Sequence, residues 1–143
     1  MRFMIIVRAN AQSEAETNPA ENVDPQLVED MGAYHQQLQE AGVLLDGAGL
    51  RPSRDGWRIR YEGGSKRTVI DGPFAEVKEL IAGYTLIQVP TREAAMEWAR
   101  RFPSPFGEQT CEIEVRQLWE LDDFTPSEAV DNMRKIDGLA GPR

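Results

Sequence analysis

The sequence predicts an α+β fold in which two β-α-β units contribute to one sheet, and three patterns indicate it. Apolar or alternating runs rich in β-branched residues are typical of strands, and they occupy residues 3–7, 43–50, 81–89 and 112–118. Apolar residues at three- and four-residue spacing predict one helix after the first run and another after the third. Between the second and third runs, alternating apolar and charged residues around a Gly-Gly-Ser turn predict an inserted β-hairpin over residues 57–70.

Both helices have recognisable ends. Asp24 and Pro25 form an N-cap and a first helical residue, and Gly42 is the glycine expected at the end of that helix. Thr91 is the expected N-cap of the second helix, over residues 93–101. The order β-α-β-hairpin-β-α-β describes a ferredoxin-like sandwich with its helices on one sheet face. Since a large apolar sheet face rarely stays in water, we expect a second subunit to cover the other face in a homodimer.

Two segments lie outside this pattern. Residues 9–23 are small, polar and acidic, and we expect a long loop that is either a mobile insertion or a flap over a cleft. After residue 118 the sequence Thr125-Pro126-Ser127-Glu128 predicts a capping box with proline at the first helical position. We therefore divide the chain into a ferredoxin-like domain, residues 1–120, and a C-terminal helical tail, residues 121–143.

Composition limits the classes of function. The 143 residues have 41% hydrophobic content and a net charge of −8, which fits one globular domain and argues against nucleic-acid binding, because phosphate contact needs clustered basic residues. Cys111 is the only cysteine, which excludes an internal disulfide and fits a reducing compartment. No apolar run approaches the roughly 18–20 residues of a membrane span, and no signal peptide pattern is present. We expect a cytoplasmic protein without membrane contact.

Charged residues crowd around one turn, in residues 70–79, and two interpretations stay open. In the first, the Asp71 carboxylate accepts backbone N–H groups of the Gly72-Pro73 turn, Phe74 enters the core and the other charges face water. In the second, Asp71, Glu76 and Lys78 line a cleft and bind or protonate a small molecule.

The sequence Asp-Gly-Pro-Phe-Ala-Glu-Val-Lys-Glu in this stretch resembles the signature of the DGPF group of YCII-related proteins. The resemblance covers roughly residues 1–120, and it extends to residues 1–7, 39–44, 47–52 and 111–116. It implies that the ferredoxin-like subunits pair into a dimeric α/β barrel. It does not imply a particular reaction, because the group is largely without assigned activity.

His35 is the only histidine, and it lies beside the apolar stripe of the first helix. A partly exposed or core-edge role and a ligand role both remain open for it. The resemblance implies a His–Asp pair with the histidine on this helix, but His35 lies seven residues before Gly42, and Met31 is nearer to the position of the family's histidine. One histidine excludes a histidine-rich metal site. A carboxylate-only metal site stays open without a pattern that supports it, and we assign neither a metal nor a cofactor.

Two functions follow as alternatives. The chain is a cofactor-free enzyme or a binder of a small-molecule ligand, with a cleft bordered by residues 9–23, the first helix and the Asp71 turn. Asp71 then transfers a proton, with His35 as a weaker catalytic candidate. The expected ligand-binding residues are Arg51, Phe74, Glu76 and Lys78. Alternatively, it is a non-catalytic module with a protein partner, which the resemblance implies to be of the sigma-factor type in transcription initiation.

Overall fold

The structure is a computed structural model that describes residues 1–15 and 18–139. Six strands and five helices occur in this part of the chain. The strands are β1 Arg2–Arg8, β2 Leu44–Gly49, β3 Trp57–Tyr61, β4 Arg67–Asp71, β5 Ile81–Gln88 and β6 Ile113–Gln117. The helices are α1 Ala11–Ala15, α2 Pro19–Asn22, α3 Pro25–Glu40, α4 Arg92–Arg100 and α5 Glu128–Arg134, with short 3₁₀ turns at Ser53–Asp55, Val77–Glu79 and Leu121–Asp123.

Four strands form one antiparallel sheet in the order β2-β5-β1-β6, and β3 and β4 form a separate two-stranded hairpin. Each β-α-β unit therefore holds a strand of the other unit between its own two strands. In this register Phe3 lies opposite Ile87 on one side and Gln117 on the other. The predicted α+β class, the chain order of the elements and the inserted hairpin are confirmed.

The core lies between the sheet and the two long helices. Alternate residues of a strand point to the same face, and Phe3 and Ile5 of β1 are both buried, as is Ile87 of β5. Tyr34 and Leu38 of α3 pack in the same cluster. The remaining buried members of that cluster are Val89 and Ala95. Helix α3 buries both Tyr34 and Leu38 because they lie four positions apart, about one turn of the helix.

Tyr34 should make stability depend on alkaline pH. Its hydroxyl donates to the Trp98 carbonyl at 2.7 Å, and burial raises its pKa from 10.0 to about 12, an effect that Arg101 partly opposes. The neutral phenol is thus favoured in the folded state, so its contribution is complete below pH 10 and is lost as the pH rises through the folded pKa.

We expect the stability of the wild type to fall relative to that of Tyr34→Phe by about 2 kcal/mol across this window. Urea unfolding at several alkaline pH values measures the difference between the free energies of unfolding of the two proteins. Every other titrating group is present in both, so its effect cancels in this difference. A difference that stays constant with pH would contradict the prediction.

The segment of residues 9–23 differs from the loop we predicted. It contains the short helices α1 and α2. The Asn10 amide donates to Ser13 Oγ at 3.0 Å, and the Ser13 amide donates to Asn10 Oδ1 at 2.9 Å. The prediction of a long loop was wrong because such helices are held by local side-chain bonds to the backbone and need no apolar stripe. Residues 16 and 17 of the predicted loop lie outside the described part.

The helix ends match the prediction at α3 and differ at α5. Asp24 caps α3, and its Oδ1 accepts the Gln26 amide at 2.9 Å. At α5 the N-cap is Ser127, whose hydroxyl accepts the Val130 amide at 3.2 Å. The predicted capping box starting at Thr125 was wrong, because α5 begins at Glu128 with Ser127 as its N-cap, so Pro126 precedes the cap instead of occupying the first helical position. Residues 140–143 of the predicted tail lie outside the described part. Among the described helices, none is both long and apolar enough to span a membrane.

Candidate functional site

A cavity of about 560 Å³ lies between α3 and the β2–β5 side of the sheet. Most of its lining is apolar, including Leu27 and Met31 of α3 and Phe102 and Phe106 after α4. Its polar residues include His35 of α3, which lies beside Thr85 of β5. This volume is within the range of about 300–1,000 Å³ that small-molecule sites occupy.

The hydrogen bonds of His35 determine which ring nitrogen carries the proton. Nδ1 lies 2.7 Å from the Met31 carbonyl oxygen, which can only accept, so Nδ1 is the protonated nitrogen. In the neutral ring Nε2 is then an acceptor, and the Thr85 hydroxyl lies 2.8 Å away to donate to it. Thr85 is 1% exposed. The ring is therefore held in one tautomer with its basic nitrogen against a hydroxyl.

Gly47 allows the histidine to approach the strand. A Cβ built at Gly47 would lie 3.3 Å from His35 Nε2 and 3.5 Å from the Tyr84 carbonyl oxygen. Gly47 is paired with Thr85 across the two strands, so the missing side chain leaves room for the ring above the pair. A glycine within a strand commonly marks such a close approach. Here the approaching group is the His35 side chain of α3.

Asp71 is placed away from this cavity lining. It ends β4, its side chain is exposed, and among the described residues its carboxylate makes no hydrogen bond or ion pair. The Phe74 amide donates to Ser53 Oγ at 3.1 Å. The interpretation of Asp71 as the turn cap was wrong. The segment before β3 packs against Gly72 and places Ser53 next to the Phe74 amide, so Ser53 caps the turn.

The other predicted binding residues surround the same turn. Arg51 is exposed and pairs with Asp55 at 3.1 Å. Phe74 lies under the Arg58 guanidinium, 3.8 Å from the ring centre. Glu76 and Lys78 are exposed, and the Lys78 carbonyl accepts from Arg8. Of the predicted site residues only His35 lines the cavity.

Sequence reasoning did not find Thr85 or Met31 as partners of His35. Met31 lies four residues before His35, a spacing that places both on one face of any helix. Thr85 lies fifty positions along the chain, and only the packing of α3 on β5 brings it there. The sequence contained one weak signal of this partner, a threonine within the apolar run of a strand.

A second cavity, of about 730 Å³, lies between the start of α3 and the loop that follows α4. Its lining includes the acidic residues Asp24, Asp30 and Glu108. Within the described residues no group of three or more His, Cys, Asp or Glu side chains is placed to hold a metal ion.

The interleaved β-α-β units and the histidine-bearing cavity define a class of small α+β domains that hosts many activities. The chain belongs to the family of the YCII-related domain, whose family model matches residues 1–121. A relative from Rhizobium meliloti (strain 1021), called an uncharacterized protein, is 35% identical over 95 residues, which are 66% of this chain and 75% of the relative. The predicted membership of the YCII-related family is confirmed.

Proposed function

We propose that this protein binds a small molecule in the His35 cavity and that the His35–Thr85 pair accepts a proton from it. The observation that supports this most directly is the fixed tautomer of His35 at the wall of an otherwise apolar cavity. A histidine whose basic nitrogen is oriented by a second hydrogen bond is a common general base.

The proton has a defined path. A hydroxyl of the ligand donates to Thr85 Oγ1 while Thr85 passes its own proton to His35 Nε2, so one proton moves in each step and none is lost. The resulting imidazolium keeps its Nδ1–H on the Met31 carbonyl and donates Nε2–H to Thr85. No cofactor enters this exchange.

The experiment uses the single histidine as a reporter. We expect some members of a panel of neutral, anionic and cationic fragments to shift the ring resonance of His35 in NMR spectra. His35→Gln and Thr85→Val should each weaken that binding by about tenfold or more, since each removes one member of the hydrogen-bonded His35–Thr85 pair. Gln36→Ala, at an exposed position one residue along α3, is the matched control and should bind normally. Fragments that bind without moving the His35 resonance would contradict the proposal.

Asp71 stays a prediction, and the same assay tests it. Its exposed carboxylate lies on the hairpin, so it belongs to the site only if another part of the assembly brings it to the ligand. If Asp71 takes part, Asp71→Asn keeps the fold and loses ligand affinity or turnover. Affinity equal to that of the wild type would remove Asp71 from the proposed site.

The second candidate function is a protein-interaction module, and the exposed hairpin favours it. Trp57, Tyr61 and Val69 are 64%, 66% and 63% exposed, and the register of β3 and β4 places them on one face with Ile59. A two-stranded hairpin is only marginally stable alone, and clustered exposed apolar residues commonly mark an interface. We propose that a second copy of the chain covers this face, within the dimeric barrel expected from the sequence.

Charge supports a second copy as the partner. Residues 51–67 contain six basic and two acidic residues, whereas residues 9–50 contain eight acidic residues and no lysine or arginine. A basic hairpin on one copy is therefore complementary to the acidic segment of another. A sigma-factor-type partner, which the resemblance implies, is the other occupant that the test distinguishes.

We expect the wild type to sediment as a dimer at micromolar concentration. A Trp57→Ser, Tyr61→Ser double variant should raise the dimer dissociation constant about tenfold or more, because it removes two exposed aromatic anchors. Its circular-dichroism spectrum should stay that of the wild type, which shows that the subunit remains folded. Ile136→Ser, at a 54% exposed apolar position outside both the acidic segment and the hairpin, is the control. A well-folded wild-type monomer would contradict self-association and leave a different protein as the occupant.

A further inference from the structure

We infer that the ligand of the His35 cavity is an uncharged, largely apolar molecule with a flat body that lies on the backbone of β2 and β5 at Gly49 and Gly83. This inference rests on the proposed function, because it concerns the same cavity. It adds the chemical class of the ligand and the surface that the ligand contacts.

The first argument concerns charge. No aspartate, glutamate, lysine or arginine side chain belongs to the described lining of this cavity. A carboxylate, phosphate or ammonium group that enters would lose water without gaining an opposite charge, which is strongly unfavourable. Ser13, Val23 and Leu27 of the lining also lie within residues 9–50, which contain eight acidic residues and no lysine or arginine. The negative electrostatic potential of this segment therefore makes the cavity still less favourable for anions.

The second argument concerns the polar capacity of the cavity. The described lining residues with polar side chains are Ser13, His35, Tyr84 and Thr85. Both ring nitrogens of His35 already have protein partners, and the Tyr84 hydroxyl donates to Asp46 at 2.9 Å. The Ser13 hydroxyl donates to the Asn10 carbonyl at 3.0 Å. Oγ1 of Thr85 retains acceptor capacity after donating to His35. The site thus matches one hydroxyl or similar donor on an otherwise apolar molecule, and a ligand with many polar groups would leave most of them unpaired.

The third argument concerns the shape of the floor. Gly49 lies opposite Gly83 where β2 pairs with β5, and the next pair along is Ala48 with Tyr84. Alternation places Gly49 on the same sheet face as Gly47, the face that His35 covers. A Cβ built at Gly49 meets no atom within 4 Å, so the space above it is open. At Gly83 a Cβ would lie 3.0 Å from the Ala48 carbonyl oxygen, so the two strands approach closely there. The pair therefore leaves backbone without side chains, open above Gly49, and a flat apolar molecule covers such a surface well.

The remaining walls suit the same ligand. Met31 comes from α3, and Phe102 and Phe106 come from the segment after α4. These side chains present polarizable and aromatic surface, which packs favourably against flat apolar groups.

The test compares two probes with one ring system. 2-Naphthol is uncharged at neutral pH and carries one hydroxyl, and 2-naphthoate carries a carboxylate at the same position. We expect 2-naphthol to shift the His35 ring resonance and to bind about tenfold or more tightly than 2-naphthoate. Gly49→Val, which projects a side chain into the open space, should weaken 2-naphthol binding about tenfold or more. Gln88→Val, at an exposed position of β5 outside the cavity lining, is the control for adding a β-branched residue to the sheet.

The outcomes separate this inference from the proposed function. Equal binding of both probes at His35, or a charged fragment that binds better there, overturns the uncharged class while the proposed site stands. Unchanged 2-naphthol affinity in a folded Gly49→Val overturns the role of the glycine floor. If Gly49→Val does not fold, Gly49→Ala replaces it, with a smaller loss expected and the same reading. A His35 resonance that no fragment moves overturns both proposals.

Discussion

Replacement of Gly72 by alanine is expected to destabilise the protein by roughly 3 kcal/mol or more. A Cβ at Gly72 would lie 1.8 Å from the Ser53 carbonyl oxygen and 2.6 Å from its carbon, so backbone must move to accommodate it. Ser53 is poorly able to move. Its amide donates to Glu14 Oε1 at 3.0 Å, and its hydroxyl donates to Oε2 of the same carboxylate while accepting the Phe74 amide.

Urea unfolding of Gly72→Ala against the wild type measures this effect. Gly32→Ala is the matched control, since Gly32 is an exposed residue inside α3 where a Cβ meets nothing within 4 Å. Alanine there should stabilise the protein by about 0.5–1 kcal/mol, because glycine loses more conformational freedom in a helix. A Gly72→Ala variant as stable as the wild type would show that the close approach to Ser53 can relax.

This result bears on the meaning of the Asp71-Gly72-Pro73-Phe74 sequence. Gly72 packs against Ser53, and its amide donates to the Gly56 carbonyl at 3.0 Å. Phe74 holds Ser53 through its amide and Arg58 through its ring. Two of the four contacts therefore join this segment to Ser53 in the 3₁₀ turn before the hairpin, and Ser53 continues the connection through Glu14 to α1. The motif has a structural role here that requires no chemistry from Asp71.

Replacement of Glu120 by alanine is expected to cost about 2–3 kcal/mol. Arg2 of β1 donates to both carboxylate oxygens of Glu120 at 3.0–3.1 Å, and also to the Leu139 carbonyl at 3.2 Å. The side chain of Arg2 is 8% exposed, and that of Glu120 is 32% exposed. Without Glu120 the buried guanidinium keeps one partner within the described part of the chain, the Leu139 carbonyl. The partial exposure of Glu120 places the cost below that of a fully buried pair.

Glu114→Ala is the control for this second prediction. It removes the partner of Arg8, another arginine of β1, from a pair with side-chain exposures of 33% and 39%. Exposed pairs contribute little, so the loss should stay within about 1 kcal/mol. Chemical unfolding of both variants gives the comparison, and equal losses would contradict the special role of Arg2.

One contact of Arg2 bears on the division of the chain at residue 120. Its guanidinium donates to the Leu139 carbonyl at 3.2 Å, which connects the first strand to the C-terminal segment. If a chain truncated after residue 120 unfolds at lower urea concentration than the full chain, the tail contributes to the domain rather than forming an independent unit. The division into residues 1–120 and 121–143 stays a prediction until that measurement.

Local patterns in the sequence determined the elements of this protein. Asp24 and Thr91 cap their helices as predicted, with their side chains accepting amides two or three residues on. The apolar runs of β1 and β5 and the alternation in β3 are also properties of consecutive residues. These features are readable because the interactions that cause them span only a few positions. Helices α1 and α2 escaped the prediction because they lack the apolar stripe on which the other helix predictions depended.

Tertiary structure alone decided the candidate site. His35 became a site residue because α3 packs on β5 and places its ring 2.8 Å from Thr85 Oγ1, above a glycine of β2. Ser53 replaced Asp71 as the partner of the turn because a contact across twenty-one residues brought it there. Neither contact has a signal in adjacent residues, since the energy of each comes from the packing of segments that are distant in the chain.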